Sequence, residues 1–157
     1  MSTAAALRLI DLSADPRPFL DLLPADWREE LVALWPAYAS TSTVLGLQLD
    51  ASLIGGGVLF RQPTPDTLGY ADLARSLFAR GLLYIGYLWI APAQRGHDYG
   101  GAWLDAVRQR FPGCGFWLAI EDAGLRRFYQ LHGFDVMQAY TSNDHTEWIM
   151  TDNIRTA

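Results

Sequence analysis

Polar and apolar residues alternate over Leu7–Leu12, a period of two that predicts a first strand. Asp15-Pro16 then opens a helical region, and between Trp27 and Tyr38 the apolar residues Leu31, Leu34 and Trp35 recur at helical spacing. Val44–Leu49 and Leu53–Phe60 are apolar and rich in β-formers, and Asp50-Ala51-Ser52 between them predicts a hairpin. Residues 61–69 hold prolines and a glycine and read as loop. After them Tyr70, Leu73, Ala74, Leu77 and Phe78 share one helical face, which Gly81 stops. Leu82–Ile90 is nearly all apolar, as in a strand buried on both faces. The next helix carries Leu104, Val107 and Phe111 on one side and ends at Pro112-Gly113. Phe116–Ile120 is a short buried strand, and Leu125, Phe128, Tyr129 and His132 repeat at helical spacing before Gly133. Phe134, Val136 and Tyr140 lead to a turn at Ser142-Asn143-Asp144, and Thr146–Met150 closes a last hairpin.

The order is β-α-α-β-β-α-β-α-β-α-β-β. Hairpins make the first half of the sheet antiparallel, and the strand–helix–strand unit from 82 to 120 makes its centre a parallel pair. The expected fold is a mixed α/β sheet with helices on both faces. At 157 residues the chain fits one domain, 1–157, that buries roughly two-thirds of its unfolded surface. Gly55-Gly56-Gly57 lies inside a strand signal with no helix after it, so a bulge or close packing is expected there and not a phosphate site.

The net charge of −5 argues against a nucleic-acid binder, which needs cations to meet phosphates. All twelve basic residues are arginine. With no lysine, neither a Schiff base nor a Walker-type phosphate loop is open to this chain. Cys114 is the one cysteine, so no internal disulfide forms and a reducing compartment is the simpler reading. The first residues do not read as a leader, and charges interrupt every apolar run, so no membrane contact and a cytoplasmic location are expected. His97, His132 and His145 are scattered without cysteine or carboxylate at ligand spacing, so no metal is expected.

The chemistry concentrates in Gln94–Leu104, QRGHDYGGAWL, where a buried strand runs through a glycine-bearing turn into a helix. The first N–H groups of a helix have no partner inside it and point outward with its partial positive charge, which suits an anion. Arg95 adds a cation, and Gly96, Gly100 and Gly101 permit close approach. An ordinary strand-to-helix turn has the same look, so the loop alone leaves both readings open.

The segment Pro92–Gly101 resembles the pyrophosphate loop R-G-x-G-x-G/A of the GCN5-related N-acetyltransferases (the GNAT family), matching at Arg95, Gly96 and Gly100 and departing at Asp98. Glu121–Val136 resembles that family's N-x-x-A-x-x-F-Y-x-x-x-G-F segment, with Phe128, Tyr129, Gly133 and Phe134 in place and Asp122 where asparagine is common. The resemblance implies an acetyl-CoA-dependent N-acetyltransferase acting on a small-molecule or peptide amine, with a homodimer possible. A CoA-binding sensor with little catalysis is the alternative. By the same resemblance acetyl-CoA lies between splayed strands at Leu82–Ile90 and Phe116–Ile120. Unpaired backbone groups of Leu88, Trp89 and Ile90 then meet the pantetheine, residues Arg95, Gly96, His97, Asp98, Tyr99, Gly100 and Gly101 hold the diphosphate, and Asp122 also contacts the cofactor. Tyr129 becomes the proton donor to the leaving thiolate, against its reading as a core aromatic. The base stays open among Glu121, Asp122, Glu147, His132 and relayed water. The helix after residue 69 covers either the acceptor mouth or a subunit partner. Asp98 itself needs only a backbone fit for a turn, which aspartate tolerates better than most residues.

Overall fold

The alternation near the N-terminus becomes strand β1 (Leu7–Asp11) in the computed structural model, which describes residues 6–152. The opening residues 1–5, read above for a leader, lie outside the described residues. Helix α1 (Arg17–Leu20) carries Pro18 in its first turn, where a missing N–H is harmless, and buries Phe19 completely. Helix α2 (Ala25–Tyr38) starts two residues before the expected Trp27, because Pro24 sets the chain up for the first turn and Asp26 puts negative charge there.

The described chain forms two compact units, one running to Leu59 and including Gly86–Arg110, the other Phe60–Ile85 and the chain from Phe111 onward. In the first, β2 (Thr43–Leu49) pairs antiparallel with β1 and with β3 (Ser52–Phe60), and a register shift marks an irregularity between Leu47 and Gln48. The hairpin turns at Asp50, whose φ of 52° is the left-handed value a tight turn demands. Helix α4 (Tyr99–Arg110) is fixed by Trp103, which is fully buried and donates its ring N–H to the Leu45 carbonyl at 2.9 Å. The triple glycine is there for contact, as expected. A Cβ on Gly57 would stand 2.8 Å from the Trp103 ring, and one on Gly56 would stand 2.6 Å from the Leu45 carbonyl and 3.0 Å from Phe19. Successive strand residues point to opposite faces, so these neighbouring glycines receive α4 on one side and α1 on the other.

In the second unit the opening of β4 (Leu83–Ile90) runs parallel to β5 (Phe116–Ile120), with Leu83 opposite Phe116 and Tyr84 opposite Trp117. Antiparallel β7 (His145–Asp152) lies beside β5, and β6 (Phe134–Ser142) pairs with β7. The predicted loop from 61 contains a 3₁₀ turn, Pro65–Tyr70, leading into α3 (Ala71–Ala79). The apolar face of α3 buries Ala74 and Leu77 and sets Phe78 edge-on to Trp117 at 5.5 Å. Helix α5 (Gly124–Leu131) precedes β6, and Gly133, at φ 93°, makes the left-handed exit between them.

The sheet order is β1-β2-β3-β4-β5-β7-β6, the mixed α/β arrangement with a parallel β4–β5 pair that the sequence predicts. One expectation is corrected. Only Leu83–Ile85 of β4 are buried, and Gly86–Ile90 are half-exposed despite their apolar character. No helix among the described residues is long and apolar enough to cross a membrane.

Candidate functional site

The half-exposed end of β4 belongs to the first unit. Tyr87, in mid-strand, holds φ 56°, a costly conformation for an aromatic residue and one that strands rarely contain. Its hydroxyl donates to Glu30 of α2 at 2.6 Å, and Trp27 packs edge-on against both Tyr87 (5.8 Å) and Trp89 (5.4 Å). The ring N–H of Trp89 is buried and meets no acceptor. Leu88 and Ile90 complete the strand end, half-buried like Trp89. The Ile90 carbonyl is not free, contrary to the expectation above. The chain turns back at Pro92–Gln94, and Arg95 donates to that carbonyl through Nε at 2.9 Å while its guanidinium lies 4.3 Å over the Trp89 ring. Ala91 N–H donates to the Ile54 carbonyl at 2.8 Å and so ties this end to β3.

Beyond Arg95 the backbone takes the left-handed region twice, at Gly96 (φ 92°) and Asp98 (φ 56°). A Cβ on Gly96 would meet nothing within 4 Å, so conformation and not crowding selects glycine there. Asp98 supplies the turn that aspartate tolerates, and its carbonyl accepts from Ala102 N–H at 3.1 Å in the first turn of α4. The N–H groups of Tyr99, Gly100 and Gly101 therefore fall in the first turn, where helix geometry provides no internal acceptor. His97 is exposed and its ring lies 5.3 Å from that of Tyr99. We expect Asp98→Gly to leave CoA affinity equal or improved, measured by calorimetry, because glycine holds φ 56° without strain; Asp98→Val should weaken it.

In the second unit Asp122 is exposed, and its carboxylate accepts from Gly124 N–H at 2.8 Å, closing the turn into α5. Tyr129, on α5, is 8% exposed, with its ring 4.9 Å from Phe128 and 5.8 Å from Phe134. Burial pushes its phenol far above the usual range, so it carries its proton throughout neutral pH. The unit also brings His145 together with Glu121, which lies far from it in sequence. His145 Nε2 lies 3.4 Å from a Glu121 carboxylate oxygen, and Glu147 completes a group whose ligand-type atoms are all within 4.8 Å of one another. Sequence spacing hid this, because Glu121 and His145 belong to different elements and meet only through the β5–β7 pairing.

A family profile described as "Acetyltransferase (GNAT) family" matches residues 7–134, and the chain belongs to that family. Its fold is similar to that of a GNAT-family structure from Desulfovibrio desulfuricans (20% identity, 94% of this chain and 98% of that one, TM-score 0.64). It is similar also to an acyl-CoA N-acyltransferase from Pseudomonas aeruginosa (16% identity, 94% and 99%, TM-score 0.56). A third likeness is to a GNAT-family acetyltransferase from Elizabethkingia anophelis with acetyl-CoA bound (13% identity, 92% and 96%, TM-score 0.59). No curated protein matches the sequence.

Proposed function

We propose that the protein is an acetyl-CoA-dependent N-acetyltransferase, acetylating the amine of a small-molecule or peptide acceptor. The observation that carries the reading is the Arg95–Gly101 turn, which enters α4 through two left-handed residues and brings three successive N–H groups to one helix end. Two further features fit the cosubstrate: the open space at Gly96 and the unsatisfied ring N–H of Trp89 at the neighbouring strand end. In this reading the backbone of 95–101 binds the diphosphate, and Leu88, Trp89 and Ile90 offer the strand end to the pantetheine. Asp122 serves the same cosubstrate indirectly, by closing the turn that starts α5.

Acetyl-CoA supplies an acetyl thioester. The amine attacks in its neutral form, the new N–C bond forms as the C–S bond breaks, and the nitrogen loses a proton while the departing sulfur gains one. Tyr129 is the donor to sulfur in this reading by its place in the F-Y-x-x-x-G-F segment, and it carries the proton at neutral pH. Arg95 is a positioning residue: its bond to the Ile90 carbonyl and its seat on Trp89 fix the strand end relative to the turn.

The test is thermal shift with CoA and with acetyl-CoA, followed by thiol release across an amine panel. Ligands that bind only the folded state raise the melting temperature by mass action. A shift plus amine-dependent release supports the enzyme. A shift without release turns the reading to a CoA-binding module, and no shift at millimolar cosubstrate sinks both. Since the chain has no lysine, its side chains offer no competing acceptor amine, and release without added amine reports hydrolysis or acetylation of the chain's own α-amine.

A further inference from the structure

The acetyl-transfer reading leaves one polar cluster of the second unit unused. Glu121 directly follows β5, while His145 and Glu147 stand two apart on β7 and project from the same face of that strand. Pairing of Ile120 with Trp148 brings Glu121 next to them. Tyr140 is opposite Glu147 in the β6–β7 register, and its ring lies 5.5 Å from that of Tyr70. Tyr70 is 5% exposed, and its hydroxyl lies near the Glu147 carboxylate and the Tyr84 hydroxyl without reaching good hydrogen-bond geometry with either. A buried hydroxyl without a partner calls for an explanation, and a ligand is one.

The charges name the ligand. Burial is the main cause that raises the Glu147 carboxyl; the Tyr70 hydroxyl opposes it, and the negative charge of Glu121 adds to it. Such a pair of carboxylates is relieved by a cation. The surroundings favour an organic ammonium over a metal ion. Tyr70 and Tyr140 supply aromatic faces and a hydroxyl oxygen that suit N–H donors, whereas a metal ion would have to draw on Glu121 and His145, both more than half exposed and open to water.

An amine that is acetylated gives up its charge before attack. A fixed pair of carboxylates suits a nitrogen that stays protonated. We propose that Glu147, Glu121 and the Tyr70 hydroxyl hold a second, non-reacting ammonium, so that the acceptor is a molecule bearing at least two basic amines. The proposal rests on the N-acetyltransferase reading above.

The test compares putrescine and cadaverine with butylamine as acceptors for the full chain at saturating acetyl-CoA, and measures putrescine binding by calorimetry without cosubstrate. The better diamine should exceed butylamine in kcat/KM by about tenfold or more, the scale of one charge-assisted contact. Glu147→Gln should collapse that ratio and abolish the heat of putrescine binding, with Tyr70→Phe reducing both in part. If Glu147 acted only as the general base, both acceptors would slow alike and the ratio would survive, which overturns the proposal. Equal use of diamine and monoamine by the natural chain overturns it too, as does stoichiometric zinc binding that His145→Ala removes in a chain with no diamine preference. Should no amine be acetylated while putrescine still binds through Glu147, the transferase reading fails and the ammonium seat stands. Circular dichroism of each variant separates loss of the seat from loss of the fold.

Discussion

Tyr129→Phe is expected to lower kcat by ~10²-fold, a typical loss for a general acid, while leaving CoA binding within a few-fold of the natural chain. The substitution removes one oxygen and keeps the ring. The packing against Phe128 and Phe134 that holds α5 to the start of β6 therefore persists. Stability should hardly change, and a fall in turnover then reports chemistry. A hundredfold is about 2.7 kcal/mol of barrier, well above the experimental scatter of a steady-state assay. Thiol release under saturating acetyl-CoA makes the measurement. If the rate is unchanged, Tyr129 is a core aromatic and the proton reaches sulfur by another route.

Trp103→Ala should have the largest effect on stability, about 3–5 kcal/mol, which is a large part of the margin of any small domain. Trp103 is fully buried, fills the space that Gly57 leaves open, and satisfies the Leu45 carbonyl. Its removal leaves a cavity and takes one hydrogen bond from the Leu45 carbonyl. Because the Arg95–Gly101 turn, the proposed diphosphate site, enters the same helix, Trp103→Ala should also weaken CoA binding in whatever fraction stays folded. Urea unfolding measures the first effect and calorimetry the second. A double-mutant cycle makes the contact explicit: Gly57→Ala is expected to cost ~1–3 kcal/mol in the natural chain, the usual range for overpacking, and much less once the indole is gone. Strict additivity would mean that the ring and the glycine do not depend on each other.

Local signals made most of the architecture readable. The glycines at 81, 96, 113 and 133 all adopt positive φ, so a punctuation rule based on backbone sterics found the ends of three helices and the turn into one of them. Asp98 fits the same rule, since its φ of 56° lies in the left-handed region that aspartate tolerates better than most residues. Non-local features were hidden. The half-exposed end of β4 looks in sequence like the rest of an apolar strand, because periodicity reports character and not what covers it. The strained backbone at Tyr87 has no signature, as an aromatic residue is the last that steric preference would place there. Its bond to Glu30 joins residues on α2 and β4 that no spacing rule connects. Arg95, assigned by motif to the diphosphate, also reaches back to Ile90, a contact set by the intervening 3₁₀ turn. Glu121, His145 and Glu147 became neighbours only through strand register.

The β6–β7 hairpin turns on Asn143 and Asp144, both left-handed (φ 52° and 61°), with Ser142 facing His145 across the shortest kind of reversal. Since alternate residues of a strand face opposite ways, adding or deleting one residue at this tip, with the strand sliding to compensate, would swing the β7 carboxylate and imidazole to the reverse of the sheet. The face on which Glu147 and His145 stand is thus inherited from the two residues of the turn. If the proposed ammonium seat holds, a lineage changing its acceptor has a shorter route through the length of that tip than through the acids themselves.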